Sequence, residues 1–292
     1  MAENSTQKTA LITGANRGIG FAAAQALAQR GWRVLLTSRD KKRGEEAAQA
    51  IRAAIPNARV EALPLDLSSL AGVRRFADGF LAVGYPLHAL VNNAGVIGST
   101  GPIRFTADGF EEEFGVNHLG HFLLTSLLMP ALRASAPARV IVVSSIRHMP
   151  GKGGPGANFD FDNLKGEKSY QPRITYNNTK LANVWFAYEF NRRMAGSGVT
   201  ATPICPGFVP ETLGSQQTGA KRFFYNRVLR LVPGARGVQT SGEEIAAYAS
   251  DPAIHTGAFY ASGKEIRSSE ASYDEAKAAQ LWDLSEKWVG LK

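Results

Sequence analysis

Tyr176 and Lys180 stand four positions apart in Tyr-Asn-Asn-Thr-Lys, just ahead of the apolar run Leu181-Ala182-Asn183-Val184-Trp185-Phe186. On a helix such a pair shares one face, so a phenol and an ammonium project together. A free phenol, with a pKa of about 10, is a poor base near neutrality, but a neighbouring cation favours its phenolate and makes proton exchange feasible. Adding a hydride to a carbonyl leaves negative charge on oxygen, which calls for such a proton donor and for a second hydrogen-bonding group. Ser145 closes the run Arg139-Val140-Ile141-Val142-Val143-Ser144 and places a hydroxyl at a strand end, and Asn117 lies in Gly115-Val116-Asn117-His118 on a helix lining the same cleft. A hydride also needs a carrier. Thr13-Gly14-Ala15-Asn16-Arg17-Gly18-Ile19-Gly20 joins the apolar run Thr9-Ala10-Leu11-Ile12 to an alanine-rich helical pattern. A glycine turn there lets backbone approach phosphate, and the helix amides behind it attract an anion, so the turn is a seat for a dinucleotide pyrophosphate.

The elements that must position these groups alternate along the chain. Apolar, often β-branched runs fall at about 9–13, 32–37, 59–64, 88–92, 139–144, 198–205 and 257–261, with helical patterns at about 18–30, 42–54, 69–83, 107–133, 173–195, 241–250 and 273–288. Strands without strict polar alternation are expected when helices cover both faces of a parallel sheet. The expectation is an α/β, doubly wound parallel sheet of Rossmann type with about seven strands, and ligands at the carboxyl ends of those strands. No repeat or linker interrupts residues 1–292, so one domain is expected.

The glycine turn, Asn92-Asn93-Ala94-Gly95, Asn117, Ser145 and the Tyr176/Lys180 pair, taken in this order, resemble the signatures of the short-chain dehydrogenase/reductase family over roughly residues 8–290. That resemblance implies catalytic roles for Asn117, Ser145, Tyr176 and Lys180: Tyr176 exchanges the proton, Ser145 orients the substrate oxygen, Lys180 also holds the nicotinamide ribose, and Asn117 helps position the lysine through a water. It implies a cofactor bed of Gly14, Asn16, Arg17, Gly18, Ile19 and Gly20 at the pyrophosphate and Asp66 and Leu67 at the adenine. Asn93, Ala94 and Gly95 would line the adenosine side, and Pro206, Gly207 and Val209 the nicotinamide carboxamide. Glu211 stands where the family often has threonine and Thr212 follows it, which makes Thr212 a second carboxamide candidate. Asp66 has an ordinary alternative as the N-cap of the helix beginning near Leu70.

Cofactor choice turns on the end of the second strand, Thr37-Ser38-Arg39-Asp40. An acid there would bind the ribose 2′-hydroxyl of NAD, and an arginine accommodates the 2′-phosphate of NADP. Arg39 takes this place and Arg17 reaches the same phosphate, so NADP(H) is expected; Asp40, one position later, is expected to point away.

Phe105-Thr106-Ala107-Asp108-Gly109-Phe110-Glu111, Asn117-His118-Leu119-Gly120-His121-Phe122 and Lys180-Leu181-Ala182-Asn183 resemble the branch of retinol dehydrogenases and light-dependent protochlorophyllide reductases. The retained Ser144-Ser145 and Asn92-Asn93-Ala94-Gly95 favour carbonyl and alcohol chemistry over C=C reduction. A non-catalytic NADP-binding regulator or scaffold is the alternative from another class, and the presence of all four catalytic groups argues against it. The stretch between Ser145 and Tyr176 is longer than in many members, so residues of about 146–172 are expected to form an inserted loop that hinders helix-to-helix dimerisation, favouring a monomer over a homodimer. Residues of about 210–240 would form the substrate lid, and Phe208, Phe223, Phe224, Tyr225, Val228, Leu229 and Leu231 in or beside it favour a lipophilic substrate.

Composition narrows the remaining classes. With 292 residues and 44% hydrophobic content the chain can build a large core. Its one cysteine, Cys205, excludes an intrachain disulfide, and five histidines without matched carboxylates give no metal site, although His118 and His121 stand three apart. The net charge of +8 comes from scattered bases without a nucleic-acid motif, so nucleic acid is not an expected partner. The segment from Lys221 to Arg236 is the exception, with five bases, several aromatics and no acid. It reads as part of the lid or as a peripheral membrane contact. Eight residues precede the first strand and no apolar run reaches the roughly 18–20 residues of a membrane span, which leads to an expectation of a soluble cytoplasmic protein.

Overall fold

A computed structural model describes residues 7–97, 102–151, 154–164, 168–214, 219 and 223–292. Parts of the expected insertion (152–153 and 165–167) and of the expected lid (215–218 and 220–222, with Lys221 and Arg222) lie outside the described residues. Eight strands form one sheet in the order β3-β2-β1-β4-β5-β6-β7-β8. They are β1 (Thr9–Ile12), β2 (Arg33–Ser38), β3 (Val60–Pro64), β4 (Ala89–Asn92), β5 (Ala138–Val143), β6 (Val199–Cys205), β7 (Tyr260–Ala261) and β8 (Lys264–Glu265). All neighbours pair parallel except β7 with β8. The eighth strand, beyond the expected seven, exists because Ser262 (φ 52°) and Gly263 (φ 81°) close a two-residue hairpin turn, the left-handed pair that matches strand twist.

Both faces of the sheet are covered, which is why its strands lack polar alternation. β1 and β4 are buried at every residue. Leu11, Leu35, Leu90, Val140 and Val142 point into one core, with Phe122, Trp185 and Trp282. The alternate residues Ala10, Ile12, Val34, Leu36, Val91 and Ile141 point into the other, with Ala23, Ile51 and Ile245. Each fully buried leucine of this kind contributes about 1.5–3 kcal/mol of apolar transfer, and truncating it would cost about 2–5 kcal/mol because a cavity remains.

The helices on the second core's face are α1 (Gly18–Gln29), α2 (Lys41–Ala54) and α8 (Val238–Ser250). Those on the first core's face are α3 (Leu70–Val83), α5 (Gly120–Ala134), α6 (Pro172–Arg193) and α9 (Glu275–Trp288). α2 begins where Asp40 accepts from the Arg43 amide (3.1 Å), and α3 begins at Ser69, whose hydroxyl accepts from the Gly72 amide (3.1 Å). The helical pattern expected from about 107 starts later. Gly109 takes φ 79° in a turn closed onto Thr106, and Glu111 then accepts from the amides of Glu113 (3.0 Å) and Phe114 (2.8 Å). From there α4 (Glu112–Phe114), a π turn (Gly115–Leu119) and α5 continue as one rod.

The strand order reverses between β1 and β4. The chain winds outward through β2 and β3, crosses back to lay β4 beside β1, and leaves a crevice outside their carboxyl ends. Open α/β sheets receive their ligands at such a point.

Candidate active site

The glycine turn and the Asn92-Asn93-Ala94-Gly95 segment meet across that crevice. Thr13 is the knot between them: its Oγ1 accepts from the amides of Asn93 and Ala94, both at 2.9 Å, while Asn93 Nδ2 donates to the Thr13 carbonyl at 2.8 Å. Gly14 takes φ 63°, and a Cβ there would stand 2.9 Å from Ala94 Cβ. At Gly20 a Cβ would land on Asn93 Nδ2 and 2.9 Å from the Gly14 carbonyl. Larger residues would fill this bed. Arg17, the N-cap of α1, makes no side-chain cap, so no capping side chain covers the first amides of the helix behind Gly18, Ile19 and Gly20. Asn16 is half-buried in the same turn. An open, glycine-lined helix N-terminus fits a pyrophosphate.

Three guanidiniums gather at the end of β2. The Arg17 side chain is held below its ordinary pKa by partial burial and by the charges of Arg43 and Arg39. Such mutual repulsion is relieved by an anion placed among the three. Asp40 does not oppose this, because its carboxylate caps α2 and pairs with Arg43 at 3.4 Å. Asp66 does not cap α3, the role Ser69 takes; its Oδ1 instead accepts from the Ser68 amide (3.0 Å) and hydroxyl (2.7 Å). Leu67 is buried in the core beside α5.

On the chemical side, Tyr176 lies half-buried in the first turns of α6 and hydrogen-bonds Ser145. Lys180 is buried, with its Nζ 5.4 Å from the Tyr176 ring centroid and donating to the Val143 carbonyl at 3.2 Å. The two serines divide the work. Ser144 donates to the Lys180 carbonyl (2.7 Å) and so ties the end of β5 to α6, which leaves Ser145 to face the phenol. Asn117 sits in the π turn, where its Oδ1 accepts from the Val96 amide (2.8 Å) and its Nδ2 donates to the Val96 carbonyl (2.9 Å) and Thr179 Oγ1 (3.3 Å). It thus locks the segment after Gly95 to α6, and a Cβ on Gly95 would stand 3.3 Å from its Oδ1.

The electrostatics differ from the sequence expectation. Lys180 and the positive charge of an oxidised nicotinamide were expected together to draw the Tyr176 phenol toward phenolate; in the protein by itself desolvation is the larger effect and pushes the phenol above its ordinary value, with Cys205 and Glu113 adding to the rise and Ser145 opposing it. Burial also lowers Lys180, to about 8, against the pull of Glu113.

Beyond β6, Pro206 is buried and its carbonyl accepts from Ser241 Oγ (3.0 Å), while Gly207 takes φ 88°. Val209 is buried, and Thr212 donates its amide to the Val209 carbonyl at 3.1 Å. α7 (Pro210–Gly214) brings Thr212 Oγ1 within 3.3 Å of where a Cβ on Gly18 would stand, so Thr212 faces the glycine turn. Glu211 is turned elsewhere and accepts from the Val238 amide at the start of α8 (3.1 Å).

Three contributors escaped the sequence reading. Arg43 joins Arg17 and Arg39 one turn into α2. His121 joins the two halves: with Nδ1 donating to the Asn117 carbonyl (3.2 Å), its Nε2 accepts from Thr13 Oγ1 (2.8 Å). Its placement four residues after Asn117 was the available signal. Glu113, one turn before Asn117, is the third. His118 turns away to Ser285 Oγ (3.0 Å), and burial lowers it to about 3 and His121 to about 4, so both are neutral imidazoles. Among the described residues no group of three or more His, Cys, Asp or Glu side chains is placed to hold a metal.

The described residues of the insertion are tied to α6. Phe159 and Phe161 lie against Trp185 of α6, with ring centroids 4.9 and 6.2 Å away, and Asn177 Nδ2 donates to the Gly156 carbonyl at 2.7 Å. The lid side is more open: Phe223, Phe224, Val228 and Leu231 are exposed on a π turn (Phe224–Val228) and a 3₁₀ turn (Leu229–Leu231). Arg236 leaves the basic patch, since its guanidinium pairs with Glu244 of α8. Among the described residues no helix is long and apolar enough to cross a membrane.

Comparison with known proteins agrees with this geometry. Residues 8–156 match the family model for short chain dehydrogenases. Retinol dehydrogenase 12 from Homo sapiens is 41% identical over 98% of this chain and 87% of its own length. A crystal structure of an uncharacterised protein from Mycobacterium paratuberculosis superposes with a TM-score of 0.73 at 34% identity, covering 97% of this chain and 94% of that one. A Pseudomonas aeruginosa RhlG structure with NADP at its active site superposes with a TM-score of 0.67 at 25% identity, over 87% of this chain and 94% of that one. The chain belongs to the short-chain dehydrogenase family, and within it is similar to the retinol dehydrogenases.

Proposed function

We propose that this protein is an NADP(H)-dependent oxidoreductase that moves a hydride between the nicotinamide and a lipophilic carbonyl or alcohol, with Tyr176 as the proton donor and acceptor. The observation that carries the reading is the convergence of Ser145, Tyr176 and Lys180 beside a glycine bed that only a close-lying group can fill. When bound, the cofactor supplies or accepts the hydride. Gly14, Asn16, Gly18, Ile19 and Gly20 would hold its pyrophosphate, and Arg17, Arg39 and Arg43 its 2′-phosphate. Asp66 and Leu67 would meet the adenine, Asn93, Ala94 and Gly95 the adenosine side, and Pro206, Gly207, Val209 and Thr212 the carboxamide. Ser145 orients the substrate oxygen by hydrogen bonding, Tyr176 gives that oxygen its proton during reduction, and Lys180 steadies the phenol and holds the nicotinamide ribose. Asn117 fixes the segment beneath them.

The similarity to retinol dehydrogenase 12 and the apolar lid support a retinoid-like or other lipophilic substrate. We read residues 1–292 as one domain with an insertion at about 146–172 and a lid at about 210–240. The insertion, by packing Phe159 and Phe161 over α6, supports a monomer, with a homodimer as the alternative, and we read the protein as cytoplasmic. The exposed Phe223, Phe224 and Leu231 near Arg227 also fit reversible contact with a membrane surface. The test is NADPH and NADH oxidation with a panel of ketones, aldehydes, retinals and steroids. NADPH-dependent turnover of an apolar carbonyl is expected; cofactor binding without turnover across the panel would favour a regulatory NADP-binding protein instead.

A further inference from the structure

Glu113 bears on the charges of Tyr176 and Lys180 but carries no step of the chemistry described so far, and its setting is unusual. The residue is 1% exposed, and both carboxyl oxygens are sealed from solvent with no hydrogen-bond partner among the described residues. It lies one turn before Asn117, which hydrogen-bonds Thr179 of α6, and α4 packs against α6, the helix that carries Tyr176 and Lys180. Every other charged group around it is already committed. Glu111 caps α4 through two amides, Glu112 pairs with Arg104, and Lys180 Nζ donates to the Val143 carbonyl. The phenols facing it are Tyr170 from the insertion and Tyr176 from α6.

We propose that Glu113 is a positioning residue whose carboxyl, acting across the α4–α6 contact, sets the pH window in which Tyr176 can donate its proton. The inference rests on the reading of Tyr176 given above. A lone buried carboxylate is costly, so the acid form is favoured near neutrality. Burial first, then Glu111, raise Glu113 to about 8, while Lys180 pulls the other way. Burial lowers Lys180 while Glu113 opposes that fall, so the protonation of each group depends on the charge of the other. Below its raised pKa Glu113 is neutral and does little to the phenol. Above it the carboxylate forms and opposes a second negative charge on Tyr176, so the donor form persists to higher pH. The alkaline limb of carbonyl reduction is therefore displaced upward by Glu113, and the neutral plateau is not.

Glu113→Gln removes the charge at nearly constant shape. NADPH-dependent reduction by this variant should match the wild type near pH 7 and then decline at an apparent pKa lower by about one unit, with NADPH affinity unchanged. Superimposable profiles would overturn the proposal, as would a loss of rate that is uniform with pH, since that marks a structural role. Tyr176→Phe, run alongside, separates the two readings: if it is inactive while the Glu113→Gln profile is unshifted, only the role of Glu113 falls, and if it remains active the underlying assignment falls with it. Should Glu113→Gln not fold, ¹³C-carboxyl NMR titration of glutamate-labelled wild-type protein decides. One glutamate titrating above roughly pH 6.5 is expected; all glutamates titrating in the ordinary range near 4.3 would contradict the proposal.

Discussion

The glycine turn and the described part of the lid are built by opposite means. At the turn, Thr13 Oγ1 receives two amides, Asn93 returns a bond to the Thr13 carbonyl, and His121 carries the network on to Asn117. These bonds hold the two segments in register. On the lid, large apolar side chains face outward: Phe223 is 64% exposed and Leu231 83%. The same sheet thus carries a rigid bed for a constant ligand and a loosely held apolar surface for a variable one. Groups that must meet reacting atoms to within a fraction of an ångström belong on the former.

If that contrast is right, small changes on the turn side should do large damage. Gly14→Val combines the strain of a β-branched residue at φ 63° with overlap on Ala94, together about 2–5 kcal/mol. A lowered melting temperature and loss of measurable NADPH binding in a titration are expected. Normal binding would mean that the bed is softer than its hydrogen bonds imply.

A smaller effect, confined to one cofactor, should follow removal of a guanidinium. Arg39→Ala deletes a charge-assisted phosphate contact worth roughly 1.5–3 kcal/mol, or about ten- to hundredfold in affinity, and should weaken NADPH while leaving NADH nearly untouched. Equal weakening of both would remove Arg39 from the 2′-phosphate site. Arg17 and Arg43 should retain part of the preference in that variant, since three charges share the place.

The least effect on the fold is expected at the lid. Phe223→Ser with Leu231→Ser removes exposed apolar surface, so stability should change by less than about 0.5 kcal/mol per site, while KM for a lipophilic carbonyl rises. A large fall in melting temperature would show that these residues are packed in solution and would erase the contrast.

The same division governs what could be read from sequence. The sheet, the glycine bed and the Tyr176/Lys180 pair were legible because each depends on local periodicity, a strand-to-helix turn or a four-residue spacing. The eighth strand was missed because it is two residues long and owes its existence to a turn at Ser262-Gly263. The start of the helix near 107 was misplaced because Gly109 and the Glu111 cap, and not apolar periodicity, decide it. The electrostatics were the least legible. A lysine four residues from a tyrosine suggests a lowered phenol, but burial of both groups and a carboxyl on another helix reverse the balance. Spacing along one element reports neither depth nor what a second element brings.

The central claim is that Tyr176 passes a proton to a carbonyl oxygen as NADPH is consumed. Single-turnover oxidation of bound NADPH by the best carbonyl of the panel, measured for the wild type and Tyr176→Phe beside an NADPH titration of each, tests it most directly. The account predicts a rate lower by about 10²–10⁴-fold with NADPH affinity unchanged. A variant that turns over within a few-fold of the wild type would contradict it.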